Sequence, residues 1–180
     1  CRAAVAAAVA RAGTVDLLVN NAGINARGAT ETMPEEVWHD VVEVNLNGTF
    51  RMCQAVYPVL STRGGNIVNL ASTGGLVAIA GSAMYGVTKA GVIQLTKILA
   101  LEWAGAKIRV NAVAPTIVPS PMTADVLDNE DYMTAKLATI PLGRVVRPEE
   151  VAAAVRWVAS AEAAMVTGHT LCVDGGVSVL

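Results

Sequence analysis

The sequence predicts an α/β protein built on a doubly wound parallel sheet with helices on both faces, and three observations carry that prediction. First, short apolar runs (VDLLV at 15–19, NIVNL at 66–70, KIRVNAV at 107–113, TLCV at 170–173) alternate with longer helical stretches. Strands separated by helices pair in parallel and are covered on both faces, which suits their near-continuous apolar character. Second, the runs end on small, polar or turn residues: NNAG at 20–23, Ser72 to Gly81, Ala114-Pro115 and Asp174-Gly175-Gly176. In an open parallel sheet, ligands bind beyond those carboxyl ends. Third, the 180 residues are 53% hydrophobic and only 16% charged, with 16 glycines. Small residues in that number suit close packing of helix on sheet, and the length suits one domain, residues 1–180.

The elements follow in order. Ala3 to Ala12 is an alanine-rich helix stopped by Gly13. Val15 to Val19 is the first strand. Pro34 is placed to open a helix, with Thr32 as a candidate cap and Glu35 and Glu36 in the first turn. Val37, Val41, Val44 and Phe50 recur at helical spacing and predict one long helix over 34–60. Gly64-Gly65 break the chain before the second strand. Residues 83–103 form the second long helix, ending before Gly105, and Lys107 to Val113 form the third strand. Residues 116–147 are the least periodic segment. Pro148-Glu149-Glu150 opens a helix through Ala159, expected to be capped as the one at Pro34 is. Thr170 to Val173 is the last strand. Each strand–helix–strand crossover is expected to be right-handed.

Composition excludes several function classes. A net charge of −2, a pI near 5.7 and 4% aromatic residues give neither a basic stripe nor a stacking platform, so no nucleic-acid partner is expected. No apolar run reaches membrane-spanning length. Cys1, Cys53 and Cys172 are odd in number and scattered, which reads as reduced thiols in a cytoplasmic protein. The only histidines are His39 and His169, and there is no CxxC or HExxH, so no metal site is expected. His39 is placed on the exposed face of its helix.

Four features stand out chemically. Tyr85 and Lys89 are four apart on a helix and share a face. An ammonium held near a phenol lowers the phenol's pKa from its usual value near 10, fitting it for proton transfer. Ser72 follows the second strand, thirteen residues before Tyr85. Asn45 lies in Val44-Asn45-Leu46-Asn47-Gly48, a polar interruption of an apolar helix. Asn20-Asn21-Ala22-Gly23 closes the first strand. Each also has a plain structural reading: a chance Tyr/Lys pair, a helix kink, an ordinary turn.

Together with IVNLAS at 67–72, VNAVAP at 110–115, PLGR at 141–144, RPEEVA at 147–152 and TGHTLCVDGG at 167–176, these pieces resemble the short-chain dehydrogenase/reductase family, in its single-domain, NAD(P)-dependent branch. The resemblance runs the length of the chain. It implies a Rossmann-like fold lacking its first strands, with NAD or NADP as cofactor and a small-molecule alcohol or ketone as substrate. It implies Tyr85 as general acid and base, Ser72 as the hydroxyl that orients the substrate oxygen, Lys89 as the group that tunes Tyr85 and binds the nicotinamide ribose, and Asn45 as the holder of a relay water. Asn21, Ala22 and Gly23 would pass the adenosine-side ribose. Val118, by its backbone, and Ser120, by its hydroxyl, would hold the nicotinamide carboxamide.

Three departures from the family pattern matter. No glycine-rich phosphate loop occurs, and with it goes the residue that selects NAD or NADP. A βαβ unit is about 30 residues, so an N-terminal stretch of roughly 60–75 residues is expected to be missing. The 180 residues alone are therefore expected to bind dinucleotide poorly and not to turn over; fluorescence titration with NAD(P)H tests this. Thr116 replaces the usual glycine after Pro115, a variant that the resemblance associates with sugar- and polyol-oxidising members. Ser120 stands where threonine is common.

Residues 121–140 resemble the family's substrate lid and carry Asp125, Asp128, Glu130 and Asp131 against one cation, Lys136. With no arginine cluster in view, a neutral substrate of sugar or polyol type is expected. The resemblance also implies a homo-oligomer, tetramer or dimer, built on the two long helices. The alternative activity is 3-oxoacyl-acyl-carrier-protein reduction; the further alternative is a non-catalytic fragment or nucleotide-binding scaffold, which the presence of Asn45, Ser72, Tyr85 and Lys89 together argues against. Enoyl reduction is disfavoured because relatives with that activity space the tyrosine and lysine more widely.

Overall fold

Four short apolar runs pair into one parallel sheet in the order β1 (Leu17–Asn20), β2 (Gly65–Leu70), β3 (Ile108–Pro115), β4 (Thr170–Val173). The computed structural model describes residues 1–179. Register pairs Asn20 with Asn69, Asn69 with Ala112 and Ala112 with Thr170, so all four strands open their carboxyl ends on the same side. β1 starts two residues later than the apolar run suggests. β3 runs on through Ala114 and Pro115, which pairs with Val173.

Successive residues of a strand face opposite sides, and the helices divide accordingly. On one face, α1 (Arg2–Ala12), α3 (Gly48–Leu60) and α4 (Ala83–Trp103) bury Val5, Cys53, Val56, Leu60 and Leu99 against Ile67, Ile108 and Val110. On the other, α7 (Pro148–Ala159) buries Val158 against Val68 and Val113. Each fully buried Val, Leu or Ile contributes about 1.5–3 kcal/mol. The expected two-sided parallel architecture is present. Its uniform handedness is not. The steps from β2 to β3 and from β3 to β4 run the same way across the sheet, yet α4 and α7 lie on opposite faces. The two crossovers therefore have opposite hands, and the last departs from the right-handed rule that the sequence reading applied throughout. The long segment between β3 and α7 gives the chain room to change faces.

The single helix expected over 34–60 is three pieces on one path: α2 (Glu35–Val42), a π-helical segment Glu43–Asn47, and α3. Pro34 is not the first helical residue but the extended residue before it, φ −61° and ψ 141°. α7 differs, with Pro148 inside its first turn and Glu150 reaching back to the Arg147 N–H. A buried polar chain ties the layers together. Asn20 donates to Asn69 (2.8 Å) and to the Cys53 thiol (3.3 Å), and Asn69 donates to Thr96 (2.9 Å). Burial pushes the Cys53 thiol up to about 12. Phe50 on α3 and Val87, Ile98 and Leu101 on α4 remain exposed on the outward side. The irregular segment 116–147 holds two short helices, α5 (Ala124–Leu127) and α6 (Glu130–Ala138).

Candidate active site

The π-helical segment presents Asn45 inward, where it is fully buried. Its Nδ2 donates to the Ile24 carbonyl (2.9 Å) and to Thr88 Oγ1 (3.1 Å), and its Oδ1 accepts from the Ile24 N–H (2.8 Å). One side chain thus fastens the loop after β1 to α4. The widened turn carries the Gly48 N–H to the Glu43 carbonyl, and Thr49 Oγ1 donates to the Asn45 carbonyl (2.8 Å). The polar interruption visible in the sequence is therefore a π-bulge, and π-bulges concentrate at functional positions.

Gly23 packs against this clamp. A Cβ there would lie 3.4 Å from Asn45 Oδ1 and 3.5 Å from Lys89 Nζ, so a bare backbone keeps the floor open. After β2, Ser72 begins a 3-10 turn, Thr73–Gly75, and its Oγ accepts the Gly74 N–H (3.1 Å). Gly75 lets that turn lie on α4, because a Cβ would come 2.7 Å from the Lys89 backbone. This close approach sets Ser72 beside Tyr85.

Tyr85 and Lys89 face the floor from α4, the Lys89 nitrogen 5.5 Å from the Tyr85 ring centre. Lys89 is buried and donates to the Leu70 carbonyl (2.7 Å). Desolvation lowers its pKa to about 8. An ammonium carries three N–H donors, and this is the only one with a protein acceptor among the described residues. Tyr85 does not follow the sequence expectation of a lowered pKa. Burial raises it, while a hydrogen bond from Ser72 and the charge of Arg27 pull the other way. The lysine sits over the ring rather than at the phenol oxygen, so the burial of the phenol governs.

The strand ends and the lid enclose a cleft of about 920 Å³. Asn21, Ala22, Gly23, Ser72, Tyr85, Lys89, Val118 and Ser120 all line it; Asn45 lies behind Gly23 and holds the wall. Val118 and Ser120 are bound up locally. Thr123 Oγ1 donates to the Val118 carbonyl (2.7 Å), and the Ser120 and Thr123 hydroxyls share a hydrogen bond (3.1 Å). Thr116 causes no strain, since Lys107 is the only non-glycine residue at positive φ among the described residues. His39 is exposed and meets Glu35 (3.4 Å), as its helix position implied.

A nicotinamide cofactor fits the floor of this cleft. Gly23 leaves its wall bare, and Lys89 offers two unused N–H donors beside it. Sequence reasoning missed a second, smaller pocket on the far side of Tyr85. It is lined by Asn25 and Arg27 from the loop after β1 and by Tyr132 and Lys136 from α6. Arg27 is separated from Lys136 by more than a hundred residues, so no local pattern announces the pair.

The family model described as enoyl-(acyl carrier protein) reductase matches residues 1–178. A 3-oxoacyl-(acyl-carrier-protein) reductase of Thermotoga maritima is 45% identical over 172 residues, 95% of this chain and 69% of that protein. A gluconate 5-dehydrogenase from Burkholderia cenocepacia, solved with NADP and tartrate, superposes with a TM-score of 0.97 at 35% identity, covering 99% of this chain and 71% of that one. The aldohexose dehydrogenase of Thermoplasma acidophilum, solved without ligand, gives 0.93 at 33% identity, covering 99% and 74%.

Proposed function

The chain belongs to the short-chain dehydrogenase/reductase family, and on that premise we propose that it serves an NAD(P)-dependent oxidoreductase interconverting a secondary alcohol and its ketone, of sugar or polyol type. The observation that carries this is the convergence of Tyr85, Ser72 and Lys89 on one cleft that the bare backbone of Gly23 also lines, beside Lys89. When bound, a nicotinamide cofactor gives a hydride to the carbonyl carbon in reduction and takes it from the carbinol carbon in oxidation. Asn21, Ala22, Gly23, Lys89, Tyr85, Val118 and Ser120 would hold it.

The chain's own groups do the rest. Ser72 Oγ accepts from Gly74, and its O–H, which hydrogen-bonds to Tyr85 here, would be shared with the substrate oxygen. Tyr85 Oη gives that oxygen its proton in reduction and removes it in oxidation. Lys89, with a pKa near 8, exchanges its own proton close to neutral pH and adds positive potential over the Tyr85 ring as the phenolate forms. Asn45 keeps the Ile24 loop, and hence Gly23, at a fixed distance from Lys89. The sugar-type reading draws on the gluconate and aldohexose dehydrogenases among the structural neighbours. The 45% identity to a 3-oxoacyl-(acyl-carrier-protein) reductase favours that activity as the second reading. Enoyl reduction fits the Tyr85–Lys89 spacing less well.

Replacing Tyr85 by Phe in the intact protein tests the mechanism. Turnover should fall by about 10³-fold or more while the circular dichroism spectrum stays unchanged; a variant that keeps most of its rate would refute Tyr85 as the proton-transfer group.

A further inference from the structure

The pocket beyond Tyr85 encloses about 90 Å³ and shares Ser72, Tyr85, Thr116, Met122 and Thr123 with the main cleft, so it continues the space in which the substrate oxygen would lie. Its only charged lining residues are Arg27 and Lys136, both positive. The acidic residues of the lid do not line it. Asp125 alone comes near, accepting from Arg27 Nη1 with both oxygens (3.1 and 3.0 Å) at a position where its own side chain is 64% exposed. Lys136 is half-buried with no carboxylate within ion-pair distance among the described residues, and burial lowers its pKa. Two cations thus line one small space, and only Arg27 has a carboxylate partner. A carboxylate on the ligand would pair Lys136 and compete with Asp125 for Arg27.

We propose that the substrate is a small hydroxy acid, or the keto acid formed from it, whose carboxylate is held by Arg27 and Lys136. This rests on the dehydrogenase reading and adds the substrate's second anchor. It also replaces the neutral substrate expected from the lack of an arginine cluster, because none of the lid's acids lines the pocket and its one lysine does. The carbinol to be oxidised then sits between Ser72 and Tyr85. Its C–H electron pair leaves to NAD(P)⁺ and its hydroxyl proton to Tyr85 Oη.

Steady-state oxidation by the intact protein, with NAD⁺ and NADP⁺, of gluconate and tartrate against the matched neutral polyols glucitol and erythritol tests the assignment. The acids should be preferred by about tenfold or more in kcat/KM. Arg27→Gln should raise KM for the acid about tenfold while kcat changes by less than about threefold, and Arg27→Gln with Lys136→Gln should erase the acid preference. Arg27→Lys should recover part of the KM effect, which separates lost charge from a loosened lid. Added salt should raise KM for the acids alone. Equal use of acids and polyols by the unaltered protein overturns the carboxylate anchor and leaves the dehydrogenase reading standing. Reduction of an acetoacetyl thioester with no oxidation of acid or polyol overturns the anchor and moves the function to 3-oxoacyl reduction. Failure to turn over any of them overturns the dehydrogenase reading and this inference with it.

Discussion

On the floor of the cleft, Asn45, Ser72, Thr88 and Lys89 are all buried, whereas across the lid from Ser120 to Ala138 only Val126 is. The floor is held by hydrogen bonds between different elements: β1's loop to the π-bulge, the π-bulge to α4, α4 to β2. The lid is held largely by hydrogen bonds between neighbours in sequence, such as Ser120 with Thr123 and Asn129 with Tyr132, plus the exposed Arg27–Asp125 pair. Buried inter-element bonds fix geometry closely and are costly to break. Exposed local ones permit motion and sequence change. The contrast teaches a division of labour, in which proton transfer belongs to the rigid floor and substrate selection to the adaptable lid.

The comparison can be broken most severely at the floor. After loss of the Tyr85 phenol, the largest expected effect is at Lys89. Lys89→Met should lower kcat about 10²–10³-fold, the usual cost of removing one preorganised charge from a reacting site. It should also change the pH dependence of stability. In the folded protein Lys89 loses its proton near pH 8, against 10.5 ordinarily. Between those values the unfolded chain holds the extra proton, so stability rises with pH, by up to about 3 kcal/mol across the window. Cys53 and Tyr85, both raised by burial, act oppositely, but only above about pH 9 and pH 10, where the folded state keeps their protons longer. Urea midpoints at pH 8 and pH 9 should therefore climb in the parent and flatten in Lys89→Met. An unchanged slope would show that Lys89 is not the buried titrating group.

A smaller effect is expected from the clamp. Asn45→Ala strands the Ile24 N–H and C=O without their partners, a loss of about 2–4 kcal/mol in urea unfolding. The loosened Gly23 wall should raise KM for the cofactor more than KM for the alcohol. Equal rises in both would mean that Asn45 supports the fold only in general and not the cofactor wall.

Much of this floor was legible in the sequence, because its signals are local. The i,i+4 pair Tyr85/Lys89, Ser72 at a strand end and the misplaced Asn45 each depart from what a purely structural helix or strand requires. The π-bulge itself was legible only as an anomaly, since the apolar series Val37, Val41, Val44 and Phe50 runs through it unbroken. The opposite hand of the last crossover was not legible. Handedness depends on which face α7 covers, and its apolar stripe of Val151, Val155 and Val158 would serve either face equally. The second pocket was hidden for a related reason. Arg27 reads as one cation in a loop and Lys136 as one cation in an acidic run, and only the fold places both beside Tyr85.

The lid offers the smallest and most discriminating test. Arg27 has two claims on it in the carboxylate reading: Asp125 in the empty protein and the substrate's carboxylate when bound. An exposed ion pair is worth about 0–1 kcal/mol, so removing the competitor should free the guanidinium at little structural cost. Asp125→Asn is therefore expected to lower KM for a hydroxy acid about two- to fivefold at low ionic strength, with the gain fading as salt screens the pair, and to leave the floor's pH profile where it was. A raised KM would reverse the reading of the pair. Asp125 would then act by holding α5 closed over the cleft, and lid and floor would be mechanically coupled instead of independent.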